Sequence, residues 1–221
     1  RHLGLRIPTA SAVADLLVRE GVATPDVALE AARAAQSHIG LARALARDPQ
    51  MRERRRAIIT APASVRSVGE AVMAADRLLE TAKAQADAQV SERNAREKAE
   101  LMRQLGMDEG ESATKASRTM IRQLEEDQKR RSKRALTDAI DRALIDLLAI
   151  YRDVLMVQVG GDGELINTDL SDLVHEIAQD STPRQTLARV DHIETARKRL
   201  VSNGNPLLVL EDMAISLRPQ A

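Results

Sequence analysis

Two short stretches have residue types that could support chemistry on a metal ion or a phosphate. His175-Glu176 resembles the start of a zinc-protease helix, but Gln179 stands where the second histidine ligand would be needed. Gly160-Gly161-Asp162-Gly163 follows a predicted helix, whereas a nucleotide-binding loop follows a strand. We interpret this glycine cluster as a helix-ending turn. The sequence therefore predicts no metal ion and no other cofactor.

Hydroxyl and carboxylate side chains give no catalytic pattern either. Three serines fall where helices should begin, and N-capping explains them without a nucleophile: Ser37, Ser171 and Ser181. Four aspartates lie on the polar side of one predicted helix, and a solvated face explains them better than paired catalytic acids: Asp138, Asp141, Asp146 and Asp153. Because no set of titratable residues converges, the sequence does not predict an enzyme.

Two basic clusters could contact phosphates: Arg52, Arg54, Arg55 and Arg56, and then Lys129, Arg130, Arg131, Lys133 and Arg134. Acidic residues adjoin both clusters, and the chain has no Phe or Trp to stack on bases. Solvated surface or protein contact is therefore the favoured interpretation. A helical DNA-binding accessory protein stays open as an alternative.

The composition predicts an all-α protein. The 221 residues include one Tyr and neither Phe nor Trp, so the core must be aliphatic and rich in Ala, the best helix former. The 33 basic and 33 acidic residues balance, which gives no global field toward nucleic acid or an anionic membrane. No cysteine is present, and no apolar run approaches the ~20 residues of a membrane span. We expect a cytoplasmic protein with no membrane partner.

The first part of the chain predicts a small three-helix unit, residues 1–48. The first helix is expected from Ser11 to Glu20. The second should follow a cap at Thr24, with Pro25 at its first position, and the third should run from about Ser37 to Arg47. Such a unit is marginal by itself and should lean on a neighbour.

The remainder, residues 49–221, predicts an antiparallel helical bundle. Pro49 should begin a basic helix that ends near Thr60 and is broken at Ala61-Pro62, with Ser64 capping the long helix that follows. That helix has an apolar seam at heptad spacing: Val65, Val68, Val72, Ala75, Leu79, Ala82 and Ala86. A charged stretch over about 91–134, with a turn from Gly106 to Ser117, separates it from a second long helix through Leu136, Leu144 and Tyr151.

The end of the chain has the clearest helix signals. Thr182-Pro183-Arg184-Gln185 is a capping box with proline at the first helical position. At the closing corner, Gly204 is expected to adopt the left-handed conformation, and Asn205 to cap a last helix that begins at Pro206.

Three segments give the chain a resemblance to clamp-loader subunits of bacterial DNA polymerase III, most closely the delta-prime subunit of the actinobacterial type. They are residues 1–8 (Arg-His-Leu-Gly-Leu-Arg-Ile-Pro), 37–45 (Ser-His-Ile-Gly-Leu-Ala-Arg-Ala-Leu) and 203–210 (Asn-Gly-Asn-Pro-Leu-Leu-Val-Leu). The resemblance implies a fragment with a helical lid domain (1–48) and a helical collar domain (49–221). The ATPase-fold domain and its Ser-Arg-Cys motif would precede Arg1.

The same resemblance implies a non-catalytic assembly module in DNA replication. Ala42 occupies the position of the family's nucleotide-sensing arginine, with Arg43 beside it, so nucleotide sensing is not expected. The implied partners are tau/gamma-type and delta-type subunits, with the sliding clamp and primed DNA met only through the whole assembly. The charged stretch from Ser91 to Arg134 departs from the family and is expected to form an extended helical hairpin.

The subunit contact is expected on the collar helices, through seven apolar residues: Leu170, Leu173, Val174, Ile177, Leu207, Leu210 and Met213. Burial of such side chains would stabilise an assembly by about 25 cal/mol per Å² before the costs of association. The alternative from another class is an adaptor protein that self-associates through the Val65–Ala86 seam.

Overall fold

The computed structural model describes residues 7–106 and 115–219, and this part of the chain contains helices and no strand. The all-α prediction is therefore confirmed. In chain order the α-helices are α1 (Ala10–Arg19), α2 (Pro25–Ala34), α3 (Ile39–Arg47), α4 (Pro49–Ser64), α5 (Val68–Gln104), α6 (Lys115–Gln158), α7 (Ser171–Gln179), α8 (Pro183–Val201) and α9 (Pro206–Leu217). A 3₁₀ turn at Thr168–Leu170 precedes α7.

Helices α1 to α3 pack around a core of their own. Its buried side chains are mostly Ala, joined by Val13, Leu17 and Leu45. Small side chains let short helices approach closely, so ten-residue helices bury a shared face despite their length.

The larger part of the chain is a four-helix bundle. Helix α5 packs against α6 and α9, and α8 packs against the same two helices, so the four close a ring. Helices α4 and α7 lie against α6 on the outside of this ring. The bundle core is aliphatic and includes Leu144, Leu147, Ile193 and Leu210, all fully buried.

Helices α5 and α6 are antiparallel, as expected. The order of the contacts shows this: Ala86 of α5 packs with Ala135 of α6, whereas Asn94, further along α5, accepts a 2.9 Å bond at its carbonyl from Gln128, which comes earlier in α6. The predicted turn from Gly106 to Ser117 lies largely outside the described residues, but its last three residues belong to α6, so the predicted turn was too long.

The break expected at Ala61-Pro62 is wrong. Pro62 lies inside α4, in its last turn, where its missing N–H removes one intrahelical bond near the end of the helix. The chain turns at Val65–Ser67 instead, and Ser67 rather than Ser64 caps α5 by accepting a 3.1 Å bond from the Glu70 N–H. Ser67 with Glu70 three residues later is the capping signature that identifies the true boundary.

The three serines predicted as N-caps do not cap helices. Ser37 has φ 71°, its hydroxyl donates to the Pro8 carbonyl at 2.7 Å, and His38 Nδ1 caps α3 in its place. Ser171 begins α7 without a side-chain cap bond. The Ser181 hydroxyl donates to the Ile177 carbonyl at 2.6 Å, so it ends α7 instead of beginning α8.

The capping box and the Asn205 cap are confirmed, but the left-handed residue at the closing corner is Asn203 and not Gly204. The capping box has both bonds: the Gln185 N–H donates to Thr182 Oγ1, and the Thr182 N–H donates to Gln185 Oε1. Asn205 caps α9 as predicted. However, Asn203 takes the left-handed conformation (φ 61°). Gly204 is needed for space, since a Cβ there would lie 2.8 Å from the Arg199 carbonyl oxygen.

Candidate interaction surface

The seven residues predicted to form a subunit contact belong to α7 with the turn before it and to α9, and they face the interior of the bundle. Leu170, Val174, Leu210 and Met213 are buried in the chain's own core. Leu173, Ile177 and Leu207 are half-buried and pack against that core. An interface made of these seven side chains stays a prediction, and four of them could meet a partner only if helices separated.

Other apolar side chains on the last two helices are exposed. Val201 at the end of α8 is 78% exposed, Leu208 in the first turn of α9 is 62% exposed, and Leu187 near the start of α8 is 49% exposed. Val201 and Leu208 flank the closing corner, which also contacts α6 through a 3.1 Å bond from Lys133 to the Asn203 side chain. This corner therefore offers apolar surface to a partner without disturbing the core.

The aspartates predicted to form a solvated face divide into two groups. Asp138 is exposed, and Asp141 forms a 2.7 Å ion pair with Arg197. Asp146 and Asp153 are buried, so the prediction is wrong for these two. The burial of Asp153 could have been predicted from its spacing, because it lies one residue before Val154 and three after Ile150, both on the buried face of α6.

The two buried aspartates belong to a polar network that joins α4, α6 and the segment before α7. Arg55 Nε donates to Asp146 at 2.8 Å, and Arg55 Nη2 donates to the Asn167 side-chain oxygen at 2.6 Å. Asp153 in turn accepts bonds from the Asn167 N–H, the Asn167 side-chain amide and the Ile166 N–H at 2.8 to 3.0 Å. Burial raises the pKa of Asp146, against the opposing attraction of Arg55. The network fixes the position of α4 on the bundle.

Arginines of the first basic cluster are occupied within the chain. Besides Arg55, Arg52 donates to the Leu45 and Ala46 carbonyls at the end of α3, Arg54 pairs with Asp48, and Arg56 pairs with Asp169. In the second cluster, Arg130 pairs with Glu126 and Asp127, and Arg131 with Glu97. These contacts agree with the interpretation as surface and protein contacts rather than as a phosphate-binding face.

The heptad seam of α5 is also used inside the chain. Ala75, Leu79 and Ala82 are buried in the bundle core, and Ala86 is buried against Ala135 of α6. Val68 remains exposed at the start of the helix. The seam therefore packs against this chain's own α6 and α9 and has little surface left for a second copy.

The single tyrosine lies in the core. Tyr151 is buried in α6, and the Arg189 guanidinium lies 5.8 Å from its ring centroid. Burial raises the pKa of Tyr151 to about 12, although the charge of Arg189 acts in the opposite direction.

Residues 7–106 and 115–219 contain neither a group of metal-ligating side chains nor a membrane-spanning helix. No group of three or more His, Cys, Asp and Glu side chains there could hold a metal ion. Within the same ranges, every helix is too short or too polar to cross a membrane.

The fold thus defines a helical protein whose buried polar and apolar groups pack within the chain. Comparison with known proteins adds one relative, the DNA polymerase III delta-prime subunit of Bacillus subtilis (strain 168). The two are 36% identical over 72 residues, which is 33% of this chain and 22% of the relative. The match therefore covers a minor part of both proteins and supports a relationship with clamp-loader subunits. No protein-family model and no solved structure matches the chain.

Proposed function

We propose that this chain is the lid and collar part of a delta-prime-type clamp-loader subunit. It acts in DNA replication in the cytoplasm, where it assembles with tau/gamma-type and delta-type subunits through its collar helices. The chain contacts the sliding clamp and primed DNA only as part of the whole assembly. The chain contributes structure and no catalysis.

The similarity to the Bacillus subtilis delta-prime subunit carries this proposal. The structure supports it through two separate apolar cores, one in α1 to α3 and one in the bundle, which correspond to a lid and a collar. The break between the cores coincides with Asp48, which ends α3 and caps α4. The proposed units are accordingly residues 1–48 and 49–221.

We place the subunit contact on the exposed corner of α8 and α9, next to Leu207 and Leu210, two of the seven residues predicted from the sequence. Leu208 and Val201 can be covered by a partner without movement of the core. Leu210, two residues further on, is fully buried. A charge at Leu210 should unfold the bundle, whereas a charge at Leu208 should act on assembly alone.

The deciding experiment is size-exclusion chromatography with light scattering. The chain is run alone and then with the tau (or gamma) and delta subunits of the same organism. We expect a complex of defined mass. A chain that elutes unchanged from the mixture would refute the proposal.

Variants locate the contact within the same experiment. Leu208→Asp should weaken co-elution while leaving the circular dichroism of the chain unchanged. Met120→Asp, at a similarly exposed apolar position on the distant part of α6, is the matched control and should co-elute normally. If the wild-type complex forms and Leu208→Asp does not weaken it, the assembly role stands and the placement of the contact at this corner is wrong.

The two alternatives make opposite predictions in the same assays. A self-associating adaptor would show a mass that rises with concentration for the chain alone. A DNA-binding accessory protein would shift labelled duplex DNA at low salt, with affinity that falls steeply as salt rises. The internal use of the α5 seam and of the first arginine cluster argues against both.

A further inference from the structure

An open apolar groove runs between α4 and α5. Its walls include Ile58 and Pro62 from α4 and Ala74 and Leu78 from α5, and α9 closes its floor with Met213 and Leu217. The volume of the groove is about 220 Å³. Leu147 of α6 also lines the groove, which therefore reaches the bundle core.

The groove exists because the facing side chains are too short to fill it. Ala57 and Ala61 of α4 stand opposite Ala74 and Ala75 of α5, and alanine side chains cannot reach across. Pro62, which also lines the groove, has no N–H to donate to the Ile58 carbonyl. A well-packed core has few such gaps, so a groove of this size is a candidate binding site.

The charge at the rim of the groove has one sign. Arg54 on the α4 side is 45% exposed, and Arg77 on the α5 side is exposed. None of the described residues that line the groove is acidic. Arg54 forms an ion pair at 3.2 Å with Asp48, which does not line the groove. The backbone carbonyl of Arg77 accepts a bond from the Thr81 hydroxyl, and Arg77 itself lines the groove. An occupant with carboxylates beside its apolar part would complement this pattern.

The volume distinguishes between kinds of occupant. Pockets for small-molecule ligands usually measure about 300 to 1,000 Å³, and a cavity of about 150 Å³ holds one benzene ring. A groove of 220 Å³ that is open along two helices therefore suits one or two aliphatic side chains of a peptide rather than a free metabolite.

We propose that this groove binds a short segment of another protein, with two aliphatic side chains between α4 and α5 and adjacent Asp or Glu carboxylates paired with Arg54 and Arg77. This binding does not depend on the clamp-loader assignment. A helix laid into an apolar groove is a common mode of peptide recognition, and its anchors recur three or four residues apart.

The probe is a random peptide library displayed on phage and selected on the purified chain. We expect enriched sequences with two aliphatic residues three or four apart and acidic residues next to them. An enriched peptide is then synthesised with a fluorescent label, and its affinity is measured by anisotropy. Failure to enrich any sequence, or enrichment of sequences without acidic residues, would overturn the proposal.

Filling the groove tests where the peptide binds. Ala74→Leu places a larger side chain in the wall and should abolish binding. Ala84→Leu, on an exposed face of the same helix, is the matched control and should bind normally. Both variants should keep the helical circular dichroism of the wild type. Equal binding by the two variants would contradict the proposed position.

A charge exchange tests the rim. Arg77→Glu should weaken binding about fivefold, the effect of one exposed ion pair at its upper range. A peptide with lysine in place of its acidic residue should recover affinity for this variant and lose it for the wild type. Arg184→Glu, at an exposed position on α8, should change the affinity for neither peptide.

A second copy of the chain is the competing occupant. If the chain alone dimerises as its concentration rises, and Ala74→Leu abolishes that dimerisation, the occupant is a second copy and the proposal is refuted.

Discussion

Removal of the Asp153 carboxylate should cost a large share of the stability of the bundle. Asp153 is fully buried, and its two oxygens accept four bonds, from the Ile166 N–H, the Asn167 N–H, the Asn167 side-chain amide and the Arg152 guanidinium. Asp153→Ala leaves these donors without their acceptor, and each buried unpaired donor costs about 1 to 3 kcal/mol. Two of the four bonds are buried and two are partly buried, and the half-exposed Arg152 can bond to water instead, so we expect a loss of about 3 to 5 kcal/mol.

The destabilisation caused by losing the Asp153 carboxylate should extend to α4. Asn167 is held by Asp153 on one side and accepts from Arg55 on the other, so its release removes one of the two anchors of that arginine. Arg55 keeps its bond to Asp146, which limits the additional effect. The expected loss is a fifth or more of the free energy of unfolding of an ordinary domain, which is about 5 to 15 kcal/mol.

Urea unfolding followed by far-ultraviolet circular dichroism measures this loss. Asp138→Ala, on the same helix but exposed, is the control and should change the free energy of unfolding by less than about 0.5 kcal/mol. A loss below about 1 kcal/mol for Asp153→Ala would refute the reasoning. It would mean that water reaches the donors or that the segment before α7 rearranges to pair them.

Three further predictions use single groups. Gly204→Ala should destabilise the chain by about 1 to 3 kcal/mol in urea unfolding because its Cβ meets backbone, whereas Gly69→Ala, with open space around it, should be neutral or stabilising. Hydrogen bonds from Arg131 and a second arginine lower the pKa of Glu97 to about 2. Its contribution to stability is therefore complete above the unfolded value near 4.5 and disappears as pH falls toward 2, which carboxyl NMR titration can follow; a titration midpoint near 4.5 in the folded chain would contradict it. Tyr151, as the single tyrosine, should ionise near pH 12 by ultraviolet absorbance, and ionisation near 10 in the folded chain would place its ring in solvent.

Local signals located some helix ends, whereas the caps predicted at Ser37, Ser64, Ser171 and Ser181 do not form. The capping box at Thr182 and Gln185 and the cap at Asn205 form bonds over two or three residues, so the short stretch of sequence contains both partners. The correct boundary near Pro62 was also indicated by residues close together in the sequence. Ser67 and Glu70 were a stronger local signal than the proline, because a proline in a last helical turn removes only one bond.

The candidate site depended on contacts between distant parts of the chain. Arg55 meets Asp146 across 91 residues and Asn167 across 112 residues. No local pattern indicates that this arginine of the basic cluster is tied into a buried network while Arg54 faces the rim of a groove. Periodicity shows that one side of a helix is apolar, but it does not show whether that side faces the same chain or a partner.

Sequence alone determined that this protein is helical, that its core is aliphatic apart from Tyr151 and where some of its helices begin, since propensity and capping act within a few residues. Tertiary structure decided which apolar residues are available to a partner. Leu210 and Leu208 have the same chemistry and lie two residues apart, yet one is fully buried and the other is 62% exposed. The direction in which α9 packs on α5 and α8 makes that difference, because rotation of a helix by a fraction of a turn exchanges its buried and exposed faces.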